Sequence, residues 1–162
     1  MRLKDRGEEL NRKSVLSFLG FCVIMFAFFH WVLIPCEVRE CSMEPTFHEG
    51  DRIFVNGLNK SPKDGEVFIF RENGVYLIKR CIATEGEHLV IKDGKVKVNG
   101  RVVNLKIKED DHTEGDIDTV IKKGEIFAMG DNRDFSLDSR SFGAVKKSQV
   151  KGTHLMRFWK GD

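Results

Sequence analysis

A long uncharged stretch near the N-terminus limits what this chain can fold into more than any other feature. The 21 residues from Ser14 to Ile34 contain no Asp, Glu, Lys or Arg. As a helix the stretch would be about 31 Å long, close to the hydrocarbon thickness of a bilayer. A helix that is apolar on every face is rarely the core helix of a small protein. The stretch therefore predicts a helix that spans a membrane.

The residues that follow this segment indicate whether it is retained. A cleaved signal peptide has a shorter apolar core and small residues before the cut, whereas this stretch runs into Ile-Pro-Cys-Glu-Val-Arg-Glu. A lipoprotein signal needs a small residue before its cysteine, but Pro35 precedes Cys36. We therefore expect a retained anchor over residues 14–35, with Trp31 as an interfacial anchor and Pro35 as a helix stop.

Charge predicts the orientation of the anchor. Residues 1–13 hold five bases and three acids, a net charge of +2, and the positive-inside rule places such a tail in the cytoplasm. Residues 36–162 are then expected to form one domain outside the cell membrane, with membrane lipid as a partner. Because the whole chain also has a net charge of +2, this domain is neutral, which argues against a nucleic-acid partner.

The part beyond Cys41 alternates short apolar runs with turn signals. This pattern predicts a mostly β fold, either coiled antiparallel β-sheets or a partly closed barrel. Asp93-Gly94 and Asn99-Gly100 are typical of tight hairpin turns, and no run has the period of a helix. The predicted strands are residues 52–55, 66–71, 75–82, 88–92, 95–98, 125–129 and 154–159.

An acidic stretch and four cysteines are the features that raise the question of a metal ion. Residues 109–118 read EDDHTEGDID but lack the Asp/Asn-Gly spacing of a calcium loop, so we expect a solvated surface loop. The cysteines form no C-x-x-C pair, which argues against a zinc or redox centre. Cys36 and Cys41 could form a disulfide outside the cell, although free thiols fit equally well. We expect no metal and no cofactor.

The first segment with candidate chemistry is Ser42-Met43-Glu44-Pro45-Thr46. Only seven residues separate Ser42 from Ile34, a reach of about 25 Å when extended, so Ser42 must lie at or near the outer membrane surface. Taken alone, the segment is better explained as an ordinary turn.

The second segment is the strand that contains Lys79. The two-residue period places Lys79 on one face with Leu77 and Cys81, and Arg80 on the other. Apolar neighbours would desolvate the ammonium and lower the pKa of Lys79, so that it could accept a serine proton near neutral pH. The same pattern fits equally well a lysine at a sheet edge whose amine extends to solvent.

The third segment is the loop GDNRDFSLDSRSFG, from Gly130 to Gly143. Asp138 and Arg140 are two residues apart and would pair on an extended backbone, and such a charged loop stays ordered only if its polar groups satisfy one another. The interleaved Phe135, Leu137 and Phe142 are expected to fasten the loop onto a core, which argues against a solvated surface loop.

Other catalytic patterns are weaker. The five histidines lie in no recognisable triad context. Ser148 and Lys151 match the S-x-x-K pattern of penicillin-recognising enzymes, but the companion motifs of that class are lacking.

Taken together, the three segments resemble those of bacterial type I signal peptidases, of the compact Gram-positive type. The SMEPT segment resembles the nucleophile box, YLIKR the general-base box, and GDNRDFSLDSRSFG the most diagnostic box of that family. The order of the segments and the preceding anchor also agree. The resemblance covers the chain from the anchor onward and implies a fold of two coiled antiparallel sheets with the site on a membrane-facing surface.

The resemblance also implies a role for each matching residue. It implies Ser42 as nucleophile, with Met43 beside it in the same box, and Lys79 as general base. Ser136 matches the serine that hydrogen-bonds and orients the lysine. Asp138 and Arg140 match a structural ion pair that braces the site. Asp131 and Arg80 are the remaining supports. The implied substrates are preproteins with small residues at the first and third positions before the cut.

Two departures from the family keep a second hypothesis open. Glu40 stands two residues before Ser42, where many relatives have Ser or Gly, and Ala83-Thr84-Glu85-Gly86-Glu87 replaces a Leu-Pro-Gly-Asp stretch. A carboxylate beside a developing oxyanion is unfavourable, so we expect the side chain of Glu40 to point away and the Ser42 amide to serve the oxyanion. The alternative is a non-catalytic relative that holds exported subunits such as pilins, with secretion or pilus-assembly machinery as partner.

Overall fold

An N-terminal helix leads directly into a β-sheet. The structure, a computed structural model, describes residues 2–103 and 113–161, with side chains from residue 11 onward. Helix α1 (Arg2–Ala27) ends in one π-helical turn (Phe28–Val32), and strand β1 (Leu33–Glu37) begins at the next residue. The span Asn11–Val32 is long and apolar enough to cross a membrane, and none of its most apolar window is buried.

The end of the helix lies against the sheet, and this differs from the predicted boundary at Pro35. Leu33 and Ile34 belong to β1 because they pair with the end of the neighbouring strand. The amide of Gly57 donates to the carbonyl oxygen of Val32 at 2.9 Å. A Cβ on Gly57 would lie 2.4 Å from the carbonyl oxygen of Trp31, so only glycine allows this close approach.

The larger sheet has seven antiparallel strands in the order β1-β2-β11-β3-β4-β9-β10. Strand β4 pairs with β3 along its first half, whereas β9 covers its other edge only from Arg80 to Thr84. The edge of β4 before Arg80 therefore has no strand partner on that side among the described residues. The bounds are β2 (Arg52–Asn56), β3 (Val67–Glu72), β4 (Val75–Thr84), β9 (Glu125–Met129), β10 (Val145–Lys146) and β11 (Val150–Trp159).

A smaller antiparallel sheet has the order β7-β6-β5-β8. Its tight turns are confirmed, because Asp93 and Gly94 both have positive φ angles, 50° and 72°, as a type I′ hairpin requires. Its buried side chains pack against β4 and β9, which joins the two sheets. The bounds are β5 (His88–Lys92), β6 (Lys95–Val98), β7 (Arg101–Val102) and β8 (Ile117–Val120).

The mostly β fold with two coiled antiparallel sheets is confirmed, and all seven predicted strands are present within a few residues. Four strands were not predicted: β1, hidden in the apolar stretch, and the short β7, β8 and β10. One helical turn, α2 (Ser139–Phe142), also follows the anchor. The expectation of a loop over residues 109–118 is wrong at its end, where Ile117 and Asp118 pair with β5; residues 109–112 lie outside the described residues.

Candidate active site

Ser42 lies in a single 3-10 turn (Cys41–Met43) that follows β1. Met43 is fully buried and packs in a cluster with Val38, Phe47 and Ile53. This apolar anchor fixes the turn, and Ser42 itself is buried although its side chain is polar. A buried hydroxyl needs a partner within the protein.

That partner is Lys79, whose Nζ donates a hydrogen bond to Ser42 Oγ at 2.6 Å. Lys79 lies near the middle of β4 and is only 1% exposed. Burial lowers the pKa of Lys79 because it disfavours the ammonium, and the negative charges of Glu40, Asp138 and Asp131 oppose this effect only in part. Lys79 is therefore buried, and it does not extend to solvent at a sheet edge.

Arg80, the next residue on β4, belongs to a second polar group on the other face of the strand. Its Nε and Nη2 donate to the two carboxylate oxygens of Asp131 at 2.8 and 2.5 Å. Thr46 Oγ1 donates to Asp131 Oδ2 at 2.5 Å. The fully buried Asp131 therefore ties the loop from Gly130 to Gly143 to β4 through Arg80, and to the segment after Ser42 through Thr46.

The Asp138–Arg140 pair closes that loop. Arg140 Nε and Nη2 donate to the two oxygens of Asp138, both at 2.9 Å. The carboxylate also caps α2 by accepting the Arg140 amide, and it accepts the amide of Gly130. The predicted pair is therefore present, but on the first turn of a helix rather than on an extended backbone. Burial alone would raise the pKa of Asp138, yet the hydrogen bonds from Arg140 and Gly130 hold it below its usual range.

Asn132 connects the loop directly to the Ser42 turn. Its amide donates to the carbonyl oxygen of Ser42, and its side-chain nitrogen donates to the carbonyl oxygen of Cys41, both at 3.1 Å. Gly130 is equally close, because a Cβ there would lie 2.5 Å from the Ser42 carbonyl oxygen. Neither residue was singled out from the sequence, although both lie in the GDNRD part of the diagnostic loop.

Ser136 lies beside Gly130, with its Oγ buried, and makes no hydrogen bond to Lys79 among the described residues. Its two neighbours contradict the expectation that they fasten the loop to a core. Phe135 and Leu137 are 70% and 66% exposed, whereas Phe142 does pack against the buried cluster around Phe70. The ion pairs of Asp131 and Asp138, together with backbone hydrogen bonds, hold the loop instead of these two side chains.

A further buried ion pair escaped the sequence reasoning. Asp51 is fully buried and accepts hydrogen bonds from Arg157 Nη1 at 2.7 Å and from the amides of His48 and Gly161. Burial alone would raise the pKa of Asp51, but these hydrogen bonds lower it below its usual range. Arg157 and Asp51 are 106 positions apart in the chain, so no local pattern could have indicated the pair.

A cleft of about 630 Å³ is lined mainly by residues that precede Ser42 and Lys79 in the chain, although neither of these two residues lines it. Its walls come from β1 and the residues after it, including Val38 and Glu40, and from β4, including Ile78. Residues 83–87 do not line it; Glu85 and Glu87 bond to the turns that join the two sheets. The further lining residues are Ile34, Cys36, Glu37, Arg39, Ile53, Ile69, Val75, Tyr76, Leu77 and Lys151.

The structure also shows the state of the residues whose roles the sequence left open. Glu40 is exposed, and its negative charge acts on Lys79. Cys36 and Cys41 are free thiols, and burial raises the pKa of Cys36. Ser148 is exposed on a short turn, and it makes no hydrogen bond to Lys151 in the described part of the chain. The S-x-x-K match therefore brings no pair together.

Comparisons with known proteins agree with this geometry. The family model described as "Signal peptidase, peptidase S26" matches residues 11–159. Signal peptidase IB of Staphylococcus aureus is 31% identical over 171 aligned positions, which cover 90% of this chain and 87% of that protein. Signal peptidase I of Bacillus amyloliquefaciens is 29% identical, with 97% and 95% covered.

A solved structure gives the same result for the fold. The crystal structure of a signal peptidase I from Enterococcus faecalis superposes with a TM-score of 0.51 at 26% identity, and covers 57% of this chain and 96% of that chain. The match by the family model over most of the chain, together with these relatives, confirms the resemblance drawn from the three segments. The chain therefore belongs to the signal peptidase family, peptidase S26, and is a serine peptidase.

Proposed function

We propose that this protein is a membrane-anchored endopeptidase that removes N-terminal signal peptides, with Ser42 as nucleophile and Lys79 as general base. One observation carries the proposal: a lysine amine shielded from water lies 2.6 Å from a buried serine hydroxyl. A neutral amine in this contact can remove the hydroxyl proton and so activate the serine as a nucleophile.

The reaction follows from the protonation state of Lys79. The neutral amine takes the proton of Ser42 Oγ as the oxygen attacks the scissile carbonyl carbon. The resulting ammonium then protonates the leaving amine as the peptide bond breaks, which leaves an acyl-enzyme. Lys79 next removes a proton from a water molecule that attacks the ester and releases the signal peptide. The amide of Ser42 stabilises the oxyanion in both steps.

The free edge of β4 supports a peptide substrate. A segment that adds to this edge as an extra strand would pass between β4 and the residues before Ser42, over the apolar floor of the cleft. Side chains of an extended peptide alternate in direction, so the first and third residues before the cut point the same way. The family resemblance implies small side chains at these two positions.

The remaining site residues act as supports. Asp138 with Arg140, and Asp131 with Arg80, hold the loop from Gly130 to Gly143 against the Ser42 turn. Ser136 lies beside Gly130, and the family resemblance implies that it orients the amine. Met43 anchors the turn itself.

The anchor places the site near lipid. Because β1 starts one residue after the helix, the domain of residues 36–162 is held at the membrane surface, where signal peptides emerge. With the N-terminal tail in the cytoplasm, this domain lies outside the cell. The exposed apolar faces of the span Asn11–Val32 require lipid around them.

A cleavage assay tests the proposal. The full chain in detergent is incubated with a preprotein, and the mass of each fragment is measured. Cleavage is expected after a small residue at the end of the signal peptide, with Ser148→Ala as active as the wild type. A protein that binds the preprotein without cutting it would instead support the non-catalytic holding role.

Glu40 is expected to set the acid limit of the activity. Its carboxylate stabilises the ammonium form of Lys79, so Glu40→Gln should lower the pKa of Lys79 further. Since the base works only when neutral, the acid limb of the kcat/KM profile should move to lower pH. Glu37→Gln is the control, because that residue lines the same cleft but is paired with Arg39. Equal limbs in the two variants would contradict the assignment.

Gly130→Ala should impair cleavage through the position of Ser42. The added methyl would meet Ser136 Oγ at 2.2 Å and the Ser42 carbonyl oxygen at 2.5 Å. A displacement of about 1 Å is expected to lower kcat roughly a hundredfold. Gly20→Ala is the control, since a methyl there contacts nothing within 4 Å. Unchanged kcat in Gly130→Ala would show that the loop does not position Ser42.

A further inference from the structure

Phe135 and Leu137 have no part in the chemistry described above. Both side chains are large, apolar and more than half exposed. They stand on either side of Ser136, whose hydroxyl oxygen is buried beside Gly130. Because hydrogen bonds and ion pairs determine the path of this loop, the two side chains are not needed to hold it. An exposed apolar pair beside a candidate site is available to contact a substrate.

The pair lies close to the nucleophile. A Cβ on Gly130 would lie 2.5 Å from Ser136 Cβ and 2.5 Å from the Ser42 carbonyl oxygen, so the side chain of Ser136 lies next to the Ser42 turn. Phe135 and Leu137 are each one residue from Ser136, a Cα–Cα distance of about 3.8 Å. A peptide that is cut at Ser42 therefore passes within a few residues' length of both side chains.

The pairing of β4 determines which half of a substrate meets this pair. The free edge of β4 borders the cleft and ends at Lys79, since β9 occupies that edge from Arg80 to Thr84. Strand β9 ends at Met129, and the loop begins at the next residue. A peptide that follows the free edge cannot continue along β4 past Lys79. It must leave the edge there and pass over the loop.

We propose that Phe135 and Leu137 form an apolar contact for the residues just after the scissile bond, and so favour preproteins with apolar side chains there. This inference rests on the proposed function and concerns its substrate class. In that function the signal-peptide side of the bond lies along the cleft, so the other side crosses the loop. The first residue after the bond is held at Ser42, and each later residue advances by about 3.5 Å. The second and third residues therefore come level with the pair.

The test compares preproteins that differ only at these two positions. Full-length wild type in detergent is given matched preproteins with Leu-Leu or Asn-Asn as the second and third residues after the cut, and kcat/KM is measured for each. Leu and Asn are similar in size, so the comparison isolates the apolar contact. The Leu-Leu substrate is expected to be cut about tenfold faster. Equal rates for the two substrates would overturn the proposal without any variant.

Variants of the pair then assign the preference. The double variant Phe135→Asn with Leu137→Asn should lower the Leu-to-Asn ratio to within about twofold, whereas Phe135→Leu alone should keep most of it. Val102→Asn changes an exposed apolar side chain on the smaller sheet, so it is the control and should keep the wild-type ratio. A loop that merely shifted would slow both substrates equally. A wild-type ratio in the double variant would therefore refute the proposal.

Lipid is the other partner that an exposed apolar pair could contact, so the same rates are measured in vesicles of a neutral phospholipid. The proposed contact predicts that the double variant changes the ratio of the two substrates in vesicles as it does in detergent. If the double variant slows cleavage only in vesicles, and by the same factor for both substrates, the pair contacts lipid and the proposal is overturned.

The outcomes also separate this inference from the function on which it rests. If both substrates are cut at equal rates, the peptidase stands and the role of Phe135 and Leu137 falls. If the wild type cuts neither substrate, the proposed function itself is wrong, and the selectivity falls with it. A preprotein with Leu-Leu at the eighth and ninth residues after the cut supplies a control for position. It should be cut no faster than its Asn-Asn counterpart, because those residues lie beyond the loop.

Discussion

Ser42→Ala and Lys79→Met are each expected to lower the rate of signal-peptide cleavage by at least about a thousandfold. The first variant removes the attacking oxygen, and the second removes the group that takes its proton. Because the two groups act as one unit, the double variant should lose little more than either single variant. Rates are measured with the full chain in detergent at several pH values. Activity within tenfold of wild type in either single variant would refute the Ser–Lys assignment.

Stability distinguishes a lost reaction from a lost fold in these variants. The depressed pKa of Lys79 means that the unfolded state binds a proton more readily than the folded state. The lysine therefore destabilises the fold at pH values below its folded pKa, and this cost disappears as the pH rises toward 10.5. Lys79→Met keeps the volume without the charge, so its Tm at neutral pH should equal or exceed that of wild type.

Asp138→Ala is expected to destabilise the β-sheet domain by about 3–5 kcal/mol. The carboxylate is fully buried. It accepts hydrogen bonds from the side chain of Arg140, from the backbone amide of Arg140 at the start of α2, and from the amide of Gly130. Its removal leaves these donors without an acceptor and Arg140 largely buried. Urea unfolding followed by tryptophan fluorescence measures the loss.

The control for this variant is Asp134→Ala, an exposed acid in the same loop, which should cost well under 1 kcal/mol. The pH dependence gives a second check. Because the pKa of Asp138 is depressed in the folded state, its stabilising effect is present above the ordinary Asp range of about 4 and is lost as the pH falls through the folded value. The gap between wild type and Asp138→Ala should therefore narrow in acid; a gap that is constant would contradict the ion pair as its cause.

The sequence predicted the parts of this molecule that depend on local pattern. Period-two runs and turn residues predicted seven strands, and an uncharged stretch of 21 residues predicted the helix. Strand β1 was missed because Leu33 and Ile34 are as apolar as the helix before them. Only pairing with β2 makes them a strand, and pairing is not a local property.

The candidate site shows the same limit. Apolar neighbours on β4 suggested a dry Lys79, but its contact with Ser42 joins residues 37 positions apart and was expected from family resemblance alone. Phe135 and Leu137 were expected to be buried because apolar side chains usually are. They are exposed because buried polar groups such as Asn132 and Asp138, rather than apolar packing, determine the path of the loop. Such a hydrogen-bond network is visible only once the distant partners are in place.

The direct junction between helix and sheet has a consequence for where a substrate is cut. The Val32 carbonyl oxygen accepts a hydrogen bond from the Gly57 amide, so the end of the helix is attached to the sheet. With the helix spanning the membrane as proposed, the distance between Ser42 and the lipid is constant, and only peptide bonds that emerge at that distance come within reach. A flexible spacer inserted at this junction would let that distance vary, so that more peptide bonds within one preprotein would be cut.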